Sequence, residues 1–310
     1  MPVFIGGAEL NVARALARWK QPVKYGTALP DHYLSREIAK ELELEGVDTS
    51  GIHYSGSRIG CYFLPQGADL KNAGVIYDRA FSSFSELKTG MVDWDHLLDD
   101  CSWFHFSAIS PALNKNTAAL CGEALESARK KGLRISVDLN YRSLLWKYGM
   151  KPTEIMPQLA DYCDVIMGNI WSAETLIGIE SPLKDSTGKT KAELMAAAFE
   201  SSQNLRRQFT NAGVIAYTFR LEKEYWAVLN EGAEIKSSPV FPITDIVDKA
   251  GSGDCFMAGL FYGLSNNHPL QSIVDFSAAA AKGKLYEKGD ATHQSIADVK
   301  KILLNNPVQF

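Results

Sequence analysis

The stretch that decides the fold is Asp248-Lys249-Ala250-Gly251-Ser252-Gly253-Asp254, which runs directly into the apolar residues 255–261. A glycine-rich turn that opens a buried helix directs several free backbone N–H groups at one point, where the helix dipole adds partial positive charge. The turn is therefore predicted to bind an anion. Asp254 lies beside that point, and an anion site next to a carboxylate suits phosphoryl transfer, which needs charge stabilisation and a base.

The same residues also suit a plain helix N-terminus, with Asp254 only stabilising the helix dipole. The turn by itself leaves both interpretations open. Two nucleotide-binding motifs are excluded. A G-x-G-x-x-G motif would need glycine at position 256, which is Phe256, and Gly188-Lys189-Thr190 lacks the first Walker glycine, which would fall at Leu183.

The composition describes a globular chain of 310 residues with 46% hydrophobic content and a net charge of -4. This length can bury the core of one large α/β domain, and the charge gives no basic footprint for nucleic acid. The five cysteines include no C-x-x-C pair and the histidines no H-E-x-x-H motif, so a disulfide framework or a zinc site is not predicted. No apolar run is long enough to span a membrane, and the start of the sequence lacks the charged and apolar regions of a secretion signal, so we expect a cytoplasmic protein.

Strands and helices alternate after residue 100, because short apolar runs are followed by segments with helical periodicity. The predicted strands are 103–108, 134–140, 164–169 and 214–220, and the predicted helices between them are 115–131, 153–163 and 191–208. Alternation of this kind predicts a doubly wound, mostly parallel sheet flanked by helices, with ligands at the carboxyl ends of the strands. Asn140, Arg142, Asn169 and Arg220 lie at such ends.

The remaining segments complete this layout. A helix over 11–19 follows Gly6-Gly7, and Asp31 is predicted to cap a second helix. A hairpin is predicted over 225–229 and 234–238, with further helices after Gly251, over 269–284 and over 295–304. Within 56–84, the strand-like runs 59–64 and 74–79 interrupt the pattern, and they predict a small β appendage.

Five separated segments match one family. Residues 6–13, 60–64, 75–80, 137–142 and 248–254 resemble the ribokinase-like (PfkB) carbohydrate kinases, over essentially the whole chain and in the right order. The three central segments resemble the 2-keto-3-deoxygluconate kinase branch. These matches favour the interpretation of the glycine turn as an anion site over that of a plain helix N-terminus.

The resemblance implies a single kinase domain over 1–310 that carries a β lid at 54–85 and transfers the γ-phosphate of ATP to a sugar hydroxyl. Asp254 would be the general base, and the turn Ala250, Gly251, Ser252 and Gly253 would be the anion hole. The residues implied to contact the sugar, together with Asp254, are Gly6, Gly7, Asn11, Tyr62, Tyr77, Arg79, Asn140 and Arg142. Those implied to contact the nucleotide are Asn169, Arg220, Gly251 and Gly253.

The chain departs from the family pattern at three places. The family has a first strand before the glycine pair, whereas five residues precede Gly6 here, so that strand is expected to be missing before residue 1. The family's Asn-x-x-Glu reads Asn169 to Ser172, which leaves Glu174 or another acid to replace the glutamate and leaves the metal ligands unknown. Lys249 and Ala250 replace the usual threonines, so Lys249 could supply charge at the phosphates or displace a monovalent cation. The cofactors that the resemblance implies are ATP and Mg²⁺, with a monovalent cation as a further possibility.

The leading hypothesis is an ATP-dependent 2-keto-3-deoxygluconate kinase, because guanidinium groups such as Arg79 and Arg142 bind a carboxylate bidentately. A fructokinase or other neutral-sugar kinase is the alternative, and a non-catalytic sugar sensor is a third possibility. An exposed strand edge leaves backbone hydrogen-bonding groups unpaired, and an exposed apolar face favours association. The lid therefore predicts a homodimer or a higher homo-oligomer formed through it.

Overall fold

The computed structural model describes residues 2–64 and 74–306. The helices are α1 (Ala8–Arg18), α2 (Tyr33–Leu44), α3 (Trp94–Leu97), α4 (Lys115–Lys130), α5 (Pro152–Ala160), α6 (Ile170–Ile177), α7 (Lys191–Gln208), α8 (Ser252–Ser265), α9 (Leu270–Lys284) and α10 (Ile296–Leu304). The strands are β1 (Thr27–Leu29), β2 (Ile52–Tyr54), β3 (Cys61–Phe63), β4 (Ile76–Asp78), β5 (Trp103–Ser107), β6 (Arg134–Asp138), β7 (Val165–Gly168), β8 (Val214–Arg220), β9 (Glu224–Glu231), β10 (Glu234–Ser237) and β11 (Phe241–Pro242).

The central sheet has the order β10-β9-β8-β7-β6-β5, and β11 pairs with β9. Strands β5 to β8 are mutually parallel, whereas β9 runs antiparallel to β8, β10 and β11. The parallel part carries the predicted alternation, and the antiparallel part contains the predicted hairpin. The α/β fold class expected from the sequence is therefore confirmed, with an antiparallel extension at one side of the sheet.

Side chains alternate between two buried layers along the central strands. On β8, Val214 and Ala216 belong to the layer that contains α1, α8 and α9, while Ile215 and Tyr217 belong to the layer of α4 to α7. Successive residues of a strand point to opposite faces, so a sheet buried on both sides reads as one continuous apolar run. This arrangement leaves the carboxyl ends of β6, β7 and β8 at one edge.

The sequence prediction was accurate where periodicity was long and incomplete where elements were short. Helix α7 and strand β8 have the predicted bounds, but α3, α6, β1 and β2 were not predicted. The cap of α2 was also wrong. His32 accepts the hydrogen bond from Ser35 N, whereas Asp31 lies one residue too early and pairs with Arg36 on the surface.

Strands β3 and β4 form a two-stranded antiparallel sheet of their own, separate from the central sheet. Cys61 pairs with Asp78, Tyr62 with Tyr77, and Phe63 with Ile76. These strands lie within the predicted β appendage, and its residues 65–73 fall outside the described residues. Among the helices that the structure describes, none combines the length and apolar character needed to cross a bilayer.

A cavity of about 2110 Å³ lies between the central sheet and the separate parallel pair β1–β2. It is lined by Trp103 and Phe104 of β5 on one side and by Ala28 of β1 on the other. The described residues place no strand between β5 and β1. At its other end the cavity reaches Gly6 and Arg79 and so joins the site described below.

Close packing of α8 on α9 depends on glycine, which gives a prediction of stability. A Cβ atom built on Gly259 would lie 2.6 Å from Ser277 Cα, a backbone atom that cannot move aside. We expect Gly259→Ala to destabilise the protein by about 1–3 kcal/mol, the usual cost of overpacking a core. The free energy of unfolding in urea measures this change.

Gly122→Ala is the matched control, because Gly122 also lies inside a helix and its nearest neighbour would be Leu159 Cδ2 at 3.9 Å. Alanine favours helix over glycine by about 0.5–1 kcal/mol, so this control should be neutral or stabilising. Equal stability of the two variants would contradict the proposed contact between α8 and α9.

Candidate active site

The glycine turn begins helix α8 in a conformation that favours glycine, at a place where there is no room for a side chain. Gly251 is the N-cap of α8, with φ 74° and ψ -4° in the left-handed region. A Cβ atom at this position would lie 1.8 Å from the carbonyl oxygen of Asp290, so a side chain would clash with backbone as well as strain φ. The turn therefore packs directly on the segment that follows α9.

The turn leaves backbone donors free where the sequence predicts an anion hole. Within the described residues, no N–H group from Gly251 to Asp254 donates to an acceptor. By contrast, Ala250 N donates to Asp248 Oδ1 at 2.9 Å. Of the N–H groups predicted for the anion hole, that of Ala250 is therefore occupied, whereas those of Gly251, Ser252 and Gly253 are free in the described part of the chain, as is that of Asp254.

Asp254 is buried at the start of α8, only 7% exposed. Asn11 Nδ2 donates to Asp254 Oδ2 at 2.6 Å, which joins α1 to α8. Burial is the main reason that the pKa of Asp254 is raised to about 8, with the Asn11 hydrogen bond opposing the rise. Asn11 Oδ1 is itself buried and has no hydrogen-bond partner in the described part of the chain.

Two charged groups from the end of β6 act on Asp254. The carboxylate of Asp138 raises its pKa further, and the guanidinium of Arg142 lowers it, although both act less than burial. Arg142 is 9% exposed, and its Nη1 donates to Tyr141 O at 3.0 Å. The structure therefore brings Arg142 into the surroundings of Asp254, as predicted from its place after a strand. Asn140 also follows β6, but its side chain makes no hydrogen bond to the described residues.

The strands β3 and β4 bring aromatic and cationic side chains to the same region. The Tyr62 hydroxyl donates to Asp290 Oδ2. The guanidinium carbon of Arg79 lies 5.9 Å from the centre of the Tyr62 ring and 5.3 Å from that of Tyr77. The Tyr77 hydroxyl is buried without a hydrogen-bond partner among the described residues.

The glycine pair near the start also approaches this region closely. A Cβ atom on Gly6 would lie 2.2 Å from Asp290 Oδ2. Gly7 is the N-cap of α1 at φ 153°. Gly6 therefore allows the backbone to come up against Asp290, a residue that the sequence analysis did not select.

Of the residues predicted to contact the nucleotide, Arg220 lies beside the glycine turn, whereas the side chain of Asn169 caps a helix. Arg220 Nη1 lies 3.5 Å from Ser252 Oγ, beside the free N–H groups. Asn169 instead caps α6, since its Oδ1 accepts from Ser172 N at 2.9 Å. Glu174, the predicted substitute acid, is exposed on α6. In the described ranges no cluster of three or more His, Cys, Asp or Glu side chains could hold a metal ion.

Sequence reasoning missed two acids that shape the site. Asp290 contacts Gly6, Gly251 and Tyr62, yet it lies in a loop without a motif. Asp248 was quoted as part of the turn but had no role assigned. Its two carboxylate oxygens accept from Ala250 N and Gly289 N, so it joins the two loops. For Asp248, the only signal in the sequence was the position of an acid just before the glycine turn.

Free N–H donors at a helix N-terminus, next to a buried carboxyl whose pKa lies near 8, define a site for transfer of a charged group to a polar acceptor. The fold places this site at the carboxyl edge of a parallel sheet, which is typical of α/β enzymes. The chain belongs to the pfkB family of carbohydrate kinases, because residues 2–296 match the family described as pfkB family carbohydrate kinase. The family expected from the sequence is confirmed, and the protein is a sugar kinase.

Characterised relatives and solved structures are similar over nearly the whole chain. A 2-dehydro-3-deoxygalactonokinase of Haloferax volcanii is 28% identical over 96% of this chain and 86% of its own. A 2-dehydro-3-deoxygluconokinase of Bacillus subtilis is 25% identical over 92% of this chain and 82% of its own. The crystal structure of a 2-dehydro-3-deoxygluconokinase from Thermotoga maritima superimposes with a TM-score of 0.85 at 33% identity, covering 96% of this chain and 89% of that one.

The raised pKa of Asp254 predicts a dependence of stability on pH. A carboxyl whose folded-state pKa lies above its unfolded value stabilises the protein fully below the unfolded value, near 4, and loses that contribution as pH rises through about 8. Asp254→Asn carries no such charge. We expect it to be more stable than wild type at pH 8 by at least about 2 kcal/mol, with the difference shrinking toward pH 4.

Thermal unfolding of both proteins between pH 4 and pH 9 measures this difference. Asp95→Asn is the control, because Asp95 is exposed and its replacement should leave the pH profile as it is in wild type. A stability gap between Asp254→Asn and wild type that stays constant with pH would show that Asp254 is not held neutral by burial.

Proposed function

We propose that this kinase transfers the γ-phosphate of ATP to a hydroxyl of an acidic sugar of the 2-keto-3-deoxygluconate type. The observation that supports it most is the joined pair Asn11 and Asp254, in which Asn11 Oδ1 is buried without a hydrogen-bond partner among the described residues. A buried acceptor without a donor is rare in folded proteins, and a sugar hydroxyl would supply that donor. The names of the relatives from Haloferax volcanii, Bacillus subtilis and Thermotoga maritima support the same class of sugar acid.

The mechanism follows from the positions of the donors and of Asp254. The carboxylate of Asp254 accepts the proton of the sugar hydroxyl, whose oxygen forms a bond to the γ-phosphorus as the bond to the β-phosphate oxygen of ATP breaks. Charge on the transferred group then meets the N–H groups of Ser252, Gly253 and Asp254 at the positive end of α8. The products are ADP and a sugar phosphate, with the proton on Asp254 released afterwards.

The nucleotide side of the site is assigned to the free N–H groups and to Arg220, beside Ser252. When bound, Mg²⁺ would supply positive charge at the phosphates, and this ion is commonly held by phosphates and water with only one or two protein carboxylates. Asn169 and Asn140 stay predictions, since the side chain of the first caps a helix and that of the second makes no hydrogen bond to the described residues.

The acidic group of the substrate is assigned to Arg79 and Arg142. Arg79 lies over the rings of β3 and β4, and Arg142 is buried near Asp254, so the two approach the site from different elements. A desolvated carboxylate held by charged donors gains about 1.5–3 kcal/mol per hydrogen bond, and a neutral sugar would leave those donors unpaired. This is why the acidic sugar is preferred over fructose in the proposal.

We place the kinase in the cytoplasm. Its five cysteines are free thiols, and burial raises the pKa of Cys255, whose Sγ donates to Ala280 O at 3.4 Å. Free thiols are usual in reducing compartments, and a buried thiol held in its protonated form packs as an apolar group.

Loss of the base should abolish turnover selectively. We expect Asp254→Asn to keep the fold and ATP binding but to lower kcat by about 10²–10⁴-fold, the usual value of a positioned base. In wild type, kcat/KM should rise with pH, reach half its maximum near pH 8 and level off above that pH, because the free enzyme must lose the Asp254 proton. Coupled ADP release with 2-keto-3-deoxygluconate measures both, and turnover within threefold of wild type in the variant would refute the role of Asp254.

The sugar preference gives a separate test of the substrate class. We expect good turnover of 2-keto-3-deoxygluconate and poor turnover of fructose in the wild type. Arg142→Ala and Arg79→Ala should each raise KM for the acid by about tenfold or more and change KM for fructose little, since a contact made equally before and during reaction appears in KM. Wild-type preference for fructose would replace this proposal by a neutral-sugar kinase.

We further propose that two copies of the chain associate through the sheet β3–β4, the predicted lid. Phe63 and Ile76 pair across this sheet and are 43% and 63% exposed, and Phe81 nearby is 72% exposed. Exposed apolar groups on a two-stranded sheet with open edges favour pairing with another copy. The lid and its role over 54–85 belong to this proposal.

Light scattering with size-exclusion chromatography tests the association. We expect wild type to elute as a dimer or larger oligomer and Ile76→Lys to elute as a monomer. Leu304→Lys is the control, because Leu304 is also exposed, at 79%, but lies at the end of α10. A monomeric wild type, or dissociation by both substitutions alike, would refute association through this sheet.

A further inference from the structure

A lysine is fully buried behind the glycine turn. Lys284 is the last residue of α9 and is 0% exposed. Its Nζ donates to Glu287 O at 3.3 Å, and no carboxylate in the described part of the chain forms an ion pair with it. A buried ammonium without an ion pair is costly, so such a residue needs a reason beyond packing.

Two carboxylates in the loop that follows Lys284 accept hydrogen bonds from other groups. Glu287 accepts from Thr292 Oγ1 at 2.7 Å and from His293 N at 2.8 Å. Asp290 accepts the Tyr62 hydroxyl. Burial raises the pKa of Asp290, and the positive charge of Lys284 partly offsets that rise, so the two groups interact without forming a direct pair. The charge of Lys284 is therefore only partly compensated.

The glycine turn lies directly over this charge. A Cβ atom built on Gly251 would be 3.3 Å from Lys284 Cε, so the lysine side chain touches the back of the turn. The free N–H groups of Ser252 and Gly253 belong to the same turn. The positive charge of Lys284 thus lies behind the N–H groups of Ser252 and Gly253, which have no acceptor among the described residues.

We propose that Lys284 is a positioning residue for phosphoryl transfer, whose buried ammonium holds the turn 250–253 and raises the positive potential where the phosphate binds. This inference rests on the proposed kinase function. The sequence left open which group provides positive charge at the phosphates. Lys249, the candidate in the turn itself, is only half-buried, whereas Lys284 provides the fixed charge that a monovalent cation would otherwise bring.

The position of Lys284 at the C-terminus of α9 also allows a simpler role. A cation there stabilises the end of a helix through its dipole. That role affects folding stability and leaves kcat unchanged. The two roles can be separated because the charge, the hydrogen bond to Glu287 and the packing can be removed one at a time.

The test uses Lys284→Gln, which can still donate to Glu287 O but carries no charge, and Lys284→Arg, which keeps the charge. Lys282→Met is the matched control, because Lys282 is on the same helix with its ammonium 4.8 Å from the centre of the Tyr286 ring. We expect Lys284→Gln to lower kcat by about 10–100-fold with the sugar KM within threefold, and Lys284→Arg to lose less than about fivefold. The control should stay within twofold of wild type.

Two further measurements complete the test. Wild-type kcat should be the same in sodium and potassium buffers, and Lys284→Ala should regain activity when ammonium or potassium ions are added. Calorimetric titration with pyrophosphate should show weaker binding to Lys284→Gln than to wild type, whichever sugar is the substrate. If Lys284→Gln does not fold, the ion rescue of Lys284→Ala and the kcat of Lys284→Arg decide the question.

Unchanged kcat and pyrophosphate affinity in folded Lys284→Gln would overturn the inference, as would a strict potassium requirement in wild type. An equal fall in kcat for Lys282→Met would also overturn it, since the effect would then be one of net charge. Failure of the proposed function looks different: wild type would phosphorylate no sugar, while the pyrophosphate titrations would still report on Lys284.

Discussion

The contact between Gly251 and the Asp290 carbonyl is the constraint on which the site depends. Only a residue without Cβ can adopt the left-handed conformation at Gly251 and approach that carbonyl. This contact fixes where α8 begins, and α8 in turn fixes the free N–H groups and Asp254. It also joins the turn to the loop after α9, which carries the Asp290 side chain toward Gly6 and Tyr62. One backbone contact therefore orients donors, base and lid together.

The second constraint is the burial of charge around Asp254. Burial alone would keep this carboxyl neutral, and Asp138 and Asp290 add to the effect, while Asn11 and Arg142 oppose it. The balance places the pKa of Asp254 near 8. A carboxylate with such a pKa is basic enough to accept a proton and is still present in its charged form near the operating pH. A carboxyl held more firmly in either state would serve less well, so the partial compensation by Asn11 and Arg142 is a functional feature.

The sequence predicted most of the fold, because long apolar periods and strand–helix alternation are properties of local sequence. It also predicted Asp254, Asn11, Arg142 and the lid tyrosines as site residues through short matched segments. It did not predict α6, because Asn169 was interpreted as a ligand-contacting residue when its side chain caps that helix. Short elements such as β1 carry too few residues to show a period.

Other features of the site could not be read from the sequence, because they depend on chain segments that meet only in the folded protein. Asp290 and Lys284 follow no motif, and each acquires its place from the packing of the loop after α9 on the glycine turn. The same is true of the occupied N–H group of Ala250, which depends on the orientation of Asp248. Residues of this kind are found by asking which buried polar groups lack partners and which glycines have no room for a side chain.

The most direct measurement is a crystal structure of the protein with 2-keto-3-deoxygluconate and a non-hydrolysable ATP analogue. We expect γ-phosphate oxygens within hydrogen-bond distance of the N–H groups of Ser252 and Gly253, and a sugar hydroxyl between Asp254 and Asn11 Oδ1. The sugar carboxylate should contact Arg79 or Arg142. A nucleotide bound away from the start of α8, or a sugar whose hydroxyls do not approach Asp254, would show that this turn is not the phosphate site or that Asp254 is not the base.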